Sequence, residues 1–232
     1  MTAVIAASDL VRRLEGEIPV TLIDGVSVTV DRGEFVAVMG PSGSGKSSLL
    51  YLLGLLDVPT SGRVLLDGED TSGFDEERLA DVRLRRLGFV FQFHFLLSEF
   101  TALENVMLPM RKLGELNDAA ARERAEALLA DLGLAEHAGK RPSQMSGGQR
   151  QRVAIARAMA NDPLVILADE PTGNLDSASS AVVRDILRDL AHDAGKSIIA
   201  VTHETDFASA ADRRIMLVDG RLDDAWQPGE PA

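Results

Sequence analysis

The chain has 232 residues, 45% of them hydrophobic, so it is long enough to enclose a substantial apolar core. Its net charge of −12 opposes binding to nucleic acid or to an anionic membrane surface, and the absence of cysteine excludes disulfides and thiolate metal sites. No apolar run approaches the roughly 18 residues of a membrane-spanning helix, and the N-terminus lacks the features of a secretory signal. We therefore expect a cytosolic globular protein, without nucleic acid and without direct membrane insertion, that reaches a membrane only through a protein partner.

Short apolar runs alternate with longer amphipathic stretches, a pattern typical of α/β domains. Near the N-terminus, residues 26–30, the turn 31–34 and residues 62–67 predict antiparallel strands and hairpins. Three runs predict buried parallel strands with polar residues where each ends: 35–39, 164–168 and 197–202. Residues 215–218, followed by Asp219 and Gly220, predict a further hairpin.

A glycine-rich loop follows the strand predicted at 35–39. Residues 40–47 (GPSGSGKS) match G-x-x-x-x-G-K-[ST] and precede a helix predicted at 47–53. In such a loop the backbone N–H groups converge on phosphates, Lys46 reaches the β and γ phosphates, and the Ser47 hydroxyl ligates Mg²⁺. A turn that binds nothing is the alternative, which the complete spacing disfavours. The candidate nucleotide-binding residues are Gly40, Pro41, Ser42, Gly43, Ser44, Gly45, Lys46, Ser47 and Ser48.

Phenylalanine is concentrated in one segment, since five of the eight phenylalanines lie in residues 89–100 (FVFQFHFLLSEF). Aromatic residues at alternate positions fit one buried face of a strand, to which we assign Phe89 and Phe91. A strand alone leaves Gln92 and His94 unexplained.

Residues 117–132 predict a surface helix that interrupts the α/β pattern. Asn117 can cap this helix, and Ala125, Leu128, Leu129 and Leu132 share its apolar face. We expect a single domain over residues 1–232, with a mostly helical subdomain inserted at about 92–145.

Residues 145–149 (MSGGQ, the signature segment) precede a helix predicted at 149–159. Ser146 and Gln149 have the spacing of a capping box, and Gly147 and Gly148 allow the backbone to approach an anion. A plain helix cap is the alternative that the local pattern leaves open.

Acidic residues follow the strand predicted at 164–168. The first, Asp169, can hold a hydrated Mg²⁺, and Glu170 can orient and deprotonate an attacking water. Two solvated acids would be the alternative, but the glycine-rich loop favours a nucleotide site. His203 follows the strand predicted at 197–202, and on its own would more often be an ordinary histidine.

These motifs, in this order, resemble those of the ATP-binding cassette (ABC) ATPases over about residues 4–223. MSGGQ is similar to the signature sequence of the family, which usually has Leu in place of Met145. Gln92 matches the lid glutamine, His203 the switch histidine, and residues 173–176 (GNLD) the loop after the acidic pair.

The resemblance implies an α/β fold: a P-loop NTPase core of parallel strands with an N-terminal antiparallel β subdomain and an inserted helical subdomain.

The resemblance also implies a dimer and a role for each motif. In the family, two subunits sandwich two ATP molecules head to tail, so either two copies of this chain or one copy and a relative must meet, and we expect a homodimer. Glu170, His203 and Gln92 would be catalytic, and Ser47, Gln92 and Asp169 would serve Mg²⁺. Ser146 would face the γ-phosphate bound to the other subunit. The residues implied to bind nucleotide, besides those of the glycine-rich loop, are Ser146, Gly147, Gly148, Gln149 and Asp176.

The family usually stacks an aromatic residue on adenine, and this chain has none at the corresponding place. Arg13 is the candidate, because a guanidinium plane can stack on a base. Strong preference for ATP over GTP is therefore not expected.

In the family, the segment after the lid glutamine lines a groove for a membrane permease. The resemblance thus implies permease docking near Phe93, His94, Phe95, Leu96 and Leu97. The stretches QFHFLLSEFTALENVMLP and DEPTGNLD resemble ATPases of the lipoprotein-releasing type, in a group that also holds macrolide-exporter and cell-division ATPases. The implied function is an ATPase that drives a permease for lipoprotein release, held at the cytoplasmic face of the inner membrane through that permease. The alternatives are cell-division signalling to periplasmic hydrolases and macrolide-type efflux.

Overall fold

Two β-sheets form the framework of the structure, a computed structural model in which residues 3–223 are described. The strands are β1 (Ala3–Leu14), β2 (Val20–Asp31), β3 (Phe35–Met39), β4 (Ser61–Leu66), β5 (Glu69–Asp70), β6 (Leu87–Phe91), β7 (Val165–Asp169), β8 (Ser197–Val201), β9 (Arg213–Val218) and β10 (Arg221–Leu222). The α-helices are α1 (Lys46–Leu53), α2 (Glu76–Arg86), α3 (Ala102–Leu113), α4 (Asp118–Asp131), α5 (Gly147–Ala158), α6 (Ser177–His192) and α7 (Thr205–Ala208). Short 3-10 helices lie at Ala135–His137 and Pro142–Gln144. Trp226, whose packing the sequence leaves open, is outside the described residues.

The larger sheet has six strands in the order β10-β9-β3-β8-β7-β6, and all its neighbours are parallel except β10 and β9. β3 and β8 are buried along their whole length, as continuous apolar runs in a parallel sheet should be. The three predicted parallel strands and the terminal hairpin are confirmed. β7 extends to Asp169 because this residue still pairs with Val201.

The smaller sheet is antiparallel, in the order β2-β1-β4-β5. It confirms the antiparallel strands expected near the N-terminus, but the turn 31–34 does not close a hairpin. The turn forms, with Glu34 N–H donating to the Asp31 carbonyl at 3.2 Å. However, β3 pairs in parallel with β8 on one edge and β9 on the other, so no edge remains for β2. The turn therefore carries the chain from one sheet to the other.

In the chain, helices α3 and α4 follow β6 and precede α5, and in the fold they share an apolar core with α5. The predicted surface helix is confirmed as α4: Asn117 accepts a hydrogen bond from Ala120 N–H at its start, and Ala121, Ala125 and Leu129 are buried. Leu128 and Leu132 are partly buried against the same core. Within residues 3–223, no helix is both long and apolar enough to cross a lipid bilayer.

Candidate nucleotide site

The P-loop (residues 40–47) joins β3 to α1 and is pressed against two neighbouring strands. A Cβ atom at Gly40 would lie 2.0 Å from the Leu217 carbonyl oxygen, and one at Gly45 would lie 2.4 Å from the Leu22 carbonyl oxygen. Both glycines have positive φ, at +148° and +99°. Only glycine combines this backbone conformation with so close an approach, so this path of the loop requires glycine at both positions.

The P-loop and the start of α1 provide positive charge and hydrogen-bond donors. The first N–H groups of a helix have no acceptor within the helix, and at the start of α1 they belong to Lys46 and its successors. The buried Lys46 ammonium donates to the Gly40 and Pro41 carbonyls, at 2.9 Å each. A phosphate is a charged acceptor and competes well for such a donor. The loop can therefore bind phosphate.

Ser47 and Asp169 form the oxygen-rich part of the site. The Ser47 hydroxyl donates to Asp169 Oδ1 at 2.9 Å, across the end of the parallel sheet. A hydroxyl and a carboxylate beside a phosphate-binding loop are the hard oxygen donors that Mg²⁺ prefers. The residues present thus fit Mg²⁺ bound together with nucleotide phosphates.

Tyr51 also contacts Asp169, a contact that the sequence analysis missed. Its hydroxyl donates to Asp169 Oδ2 at 3.1 Å. Burial raises the pKa of Tyr51, and the charge and hydrogen bond of Asp169 raise this pKa further, so the hydroxyl keeps its proton. The sequence did contain a signal for this contact. Tyr51 is four residues after Ser47 on the predicted helix, so the two side chains share one face, and Ser47 was already a candidate ligand of Mg²⁺.

Glu170 lies directly beyond β7 in a left-handed backbone conformation, with φ +46°. One carboxylate oxygen, Oε1, is 3.0 Å from Nδ1 of the exposed His203, so the structure brings these two candidate residues together. The other, Oε2, is buried and has no hydrogen-bond partner among the described residues. A strained residue with a buried acceptor to spare is well suited to take a proton from water.

Gln92 follows β6 and lies against the loop 173–176. A Cβ atom at Gly173 would be 2.8 Å from Gln92 Nε2, and Asn174 Nδ2 donates to the Gln92 carbonyl at 3.4 Å. Gln151, which the sequence analysis missed, is fully buried and donates to the Pro171 carbonyl at 2.8 Å and to the Phe91 carbonyl at 3.4 Å. It therefore ties α5 to the residues beside both Gln92 and Glu170.

The signature segment begins α5 with the expected capping box. Ser146 Oγ accepts from Gln149 N–H at 3.2 Å, and Ser146 N–H donates to Gln149 Oε1 at 2.9 Å. The glycines have a packing reason as well: a Cβ at Gly148 would lie 2.6 Å from Ser179 Oγ, and one at Gly147 would lie 3.3 Å from a methyl group of Leu175. The start of α5 thus packs closely on the start of α6.

Asp176 caps α6 within the chain. Its carboxylate accepts from Ser179 N–H and from the Ser179 hydroxyl, both at 2.9 Å, and these bonds lower the pKa of Asp176. Over residues 3–223, no hydrogen bond joins residues 146–149 or Asp176 to the P-loop. Among the described residues, the signature segment and Asp176 therefore make their polar and packing contacts around the starts of α5 and α6 and not with the P-loop.

The segment 93–97 presents apolar side chains to solvent. Phe93, Phe95 and Leu97 are 68%, 61% and 46% exposed, whereas Leu96 is partly buried against the core of α3 and α4. His94 is partly buried as well. Next to this segment lies a cleft of about 410 Å³, lined by residues that include Phe91, Pro109 and Arg157.

Two consecutive residues of this segment, His94 and Phe95, have positive φ. The guanidinium of Arg157 on α5 donates to both of their carbonyls, at 2.7 and 2.6 Å. Burial lowers the pKa of Arg157. No local sequence pattern marked Arg157, because its partners are more than 60 positions away along the chain.

Arg13 lies near the end of β1, opposite Thr21 of β2, with an exposed side chain. The next residue of β2, Leu22, is the one whose carbonyl approaches Gly45. Arg13 is therefore close in the sheet to the strand that supports the P-loop.

Comparison with known proteins agrees with this geometry. Residues 23–173 match the family model described as "ABC transporter". The lipoprotein-releasing system ATP-binding protein LolD of Aquifex aeolicus (strain VF5) is 50% identical over 201 residues, which cover 87% of this chain and 89% of that protein. The macrolide export ATP-binding/permease protein MacB of Chlorobaculum tepidum is 52% identical over 205 residues, which cover 88% of this chain but 31% of that larger protein.

Solved structures with a similar fold are also ABC cassettes. The dimeric structure of the bacterial ABC transporter cassette MJ0796 superposes with a TM-score of 0.88 at 41% identity, covering 94% of this chain and 96% of that one. A dimeric post-hydrolysis state of MJ0796 bound to ADP and Pi superposes equally well. The expected fold of a P-loop core with antiparallel and helical additions is confirmed. With sequence, fold and site in agreement, the chain belongs to the ABC transporter family, as one of its ATP-binding cassette ATPases.

Proposed function

We propose that this chain is the ATP-hydrolysing subunit of a transporter that releases lipoproteins from the bacterial inner membrane. Its location would be the cytoplasmic face, where it is held through a permease. The observation that carries the hydrolytic part is the meeting of Lys46, Ser47 and Asp169 at the end of the sheet, with Glu170 beside them. The relatives named for lipoprotein release support the choice of cargo, because they match along nearly their whole length.

ATP is bound through the P-loop in this proposal. Residues 40–48 surround the phosphates with N–H groups, and Lys46 exchanges its two carbonyl acceptors for phosphate oxygens. Ser47, Asp169 and Gln92 would hold Mg²⁺, which would supply neutralisation of the phosphate charge. Arg13 stacks on the base, which leaves selection of adenine over guanine weak.

Hydrolysis depends on a water held at the γ-phosphate. Glu170 accepts a proton from this water, and His203 holds the γ-phosphate while orienting Glu170 through their 3.0 Å contact. Gln92 contacts the water or Mg²⁺ from the end of β6. Because Gln92 also packs on the loop 173–176, its position depends on the conformation of that loop.

Two copies form the active unit. Since one chain keeps its signature segment apart from its P-loop, a head-to-tail homodimer is needed to place Ser146, Gly147, Gly148 and Gln149 opposite the partner's phosphates, with Asp176 nearby. The dimeric cassettes of similar structure support this arrangement. Each copy is a single domain over residues 1–232, with residues 92–145 as an inserted helical subdomain.

The permease docks on the segment 93–97. Exposed Phe93, Phe95 and Leu97 beside an open cleft offer an apolar surface, and His94 and Leu96 complete the segment. Gln92 immediately precedes it, so a shift of Gln92 on nucleotide binding moves the docking surface. Closure of the dimer would in this way pull on the permease.

A second candidate is macrolide-type efflux, favoured by the 52% identity to the MacB relative. The two functions share the ATPase and differ in the permease and its cargo. The permease must therefore be identified directly.

The test is affinity purification of the Glu170→Gln chain from its native membranes with ATP and Mg²⁺, followed by mass spectrometry. A permease with a large periplasmic domain, accompanied by lipoproteins, is the expected result. A division-type permease with cell-wall hydrolase regulators, or an efflux permease with an outer-membrane channel, would overturn the lipoprotein assignment. Purification of the same variant with EDTA controls for nucleotide-independent association.

A further inference from the structure

Both oxygens of the Asp169 carboxylate are held by hydroxyl groups from one helix. Ser47 donates to Oδ1 at 2.9 Å, and Tyr51, one turn later on α1, donates to Oδ2 at 3.1 Å. The Tyr51 ring packs against the apolar core, and the Tyr51 carbonyl accepts from Leu56 N–H at 2.8 Å. Tyr51 is therefore fixed by its surroundings, and so is the direction of its hydroxyl.

An aspartate carboxylate that is held at one oxygen only can still rotate, because its terminal torsion has broad energy wells. A second donor on the other oxygen removes that freedom. Each carboxylate oxygen accepts about two hydrogen bonds, so the residues described in the structure leave one acceptor position on Oδ1 and one on Oδ2. These free positions are available to the waters of a bound cation.

We infer that Tyr51 is a positioning residue, which orients the Asp169 carboxylate so that it can bind the nucleotide-associated divalent cation together with Ser47. The inference rests on the proposed function, since the cation site is part of it. Removal of the Tyr51 hydroxyl should weaken binding of the cation and leave binding of the nucleotide itself unchanged.

The experiment measures Mn²⁺ binding to the full chain at saturating ADP, by electron paramagnetic resonance of free Mn²⁺. Mn²⁺ takes the same oxygen ligands as Mg²⁺, and ADP avoids turnover. The chains compared are the natural chain, Tyr51→Phe, which removes only the hydroxyl, and Tyr51→Leu, which also removes the ring. ADP affinity without metal is measured for each by equilibrium dialysis.

Loss of a partner that orients a metal ligand weakens metal binding by about tenfold or more, so Tyr51→Phe and Tyr51→Leu should both raise the Mn²⁺ dissociation constant by at least about that factor. ADP affinity without metal should stay as in the natural chain. The inference is overturned if Tyr51→Phe binds Mn²⁺ like the natural chain, even if Tyr51→Leu does not. It is also overturned if ADP affinity without metal falls by the same factor. Failure of the natural chain to bind Mn²⁺ with ADP would instead contradict the proposed cation site itself.

Discussion

At the scale of single residues, the proposed nucleotide site combines groups from contiguous motifs with groups that meet only in the folded chain. Lys46, Ser47 and Asp169 could be assigned because the spacing of each motif defines its chemistry. Tyr51 and Gln151 could not, because their roles depend on a carboxylate and on carbonyls brought to them by the folded chain. The strained backbone of Glu170 was equally invisible, since nothing in its neighbours requires a positive φ.

Glu170→Gln is predicted to remove most of the hydrolytic activity and preserve ATP binding. The amide keeps the size of the side chain but cannot accept the proton from water, so turnover should fall by about 10²- to 10⁴-fold. Phosphate release measures turnover, and a fluorescent ATP analogue measures binding. Hydrolysis at the natural rate would show that another group is the base.

His94 is predicted to make stability depend on pH. Burial, together with the nearby charge of Arg150, lowers the pKa of His94 below its ordinary value of 6.5. The unfolded chain keeps the ordinary pKa of about 6.5, so below this pH His94 binds a proton more readily in the unfolded chain than in the folded chain. The free energy of unfolding should therefore fall as pH drops below about 6.5. Urea denaturation at several pH values tests this, with His94→Gln as the comparison. If the two chains lose stability in parallel as pH falls, His94 is not responsible.

At the scale of elements, short apolar runs were reliable guides to the parallel strands, because burial on both faces leaves a continuous apolar sequence. The turn 31–34 shows where local patterns stop being sufficient: it has hairpin chemistry, but both edges of β3 are occupied. The segment 92–97 shows the same limit. Its aromatic alternation continues the pattern of β6, yet His94 and Phe95 turn out of the strand and are held by Arg157.

Arg157→Met is predicted to loosen the segment 92–97. It deletes a charged, mostly buried donor to two carbonyls, which should cost about 1 to 3 kcal/mol of unfolding free energy. Hydrogen exchange should become faster in residues 92–97 in particular. Arg188→Met is the matched control. Among the described residues, the exposed Arg188 pairs with Asp185 and Asp189 on the surface of α6, so its loss should change stability by less than about 1 kcal/mol. Equal effects of the two substitutions would contradict the role given to Arg157.

At the scale of the whole molecule, the sequence was sufficient to identify the family and the fold, because six motifs occur in the family's order. It also implied a dimer, and the structure gives this a physical reason. The signature segment packs on α6 and not on the P-loop of its own chain, so in the proposed function a second copy completes each nucleotide site.

The most direct test of this account is the mass in solution of the Glu170→Gln chain, measured by light scattering with and without ATP and Mg²⁺. We predict a monomer without ATP, a dimer with ATP, and a monomer in both conditions once Ser146→Arg is added, because the arginine obstructs only the facing site. The Glu170→Gln, Ser146→Arg chain should still bind ATP, and Ser72→Arg, at an exposed serine of the N-terminal region, should not prevent dimerisation. A Glu170→Gln chain that stays monomeric at saturating ATP, or a dimer that tolerates Ser146→Arg, would contradict the two-copy nucleotide site.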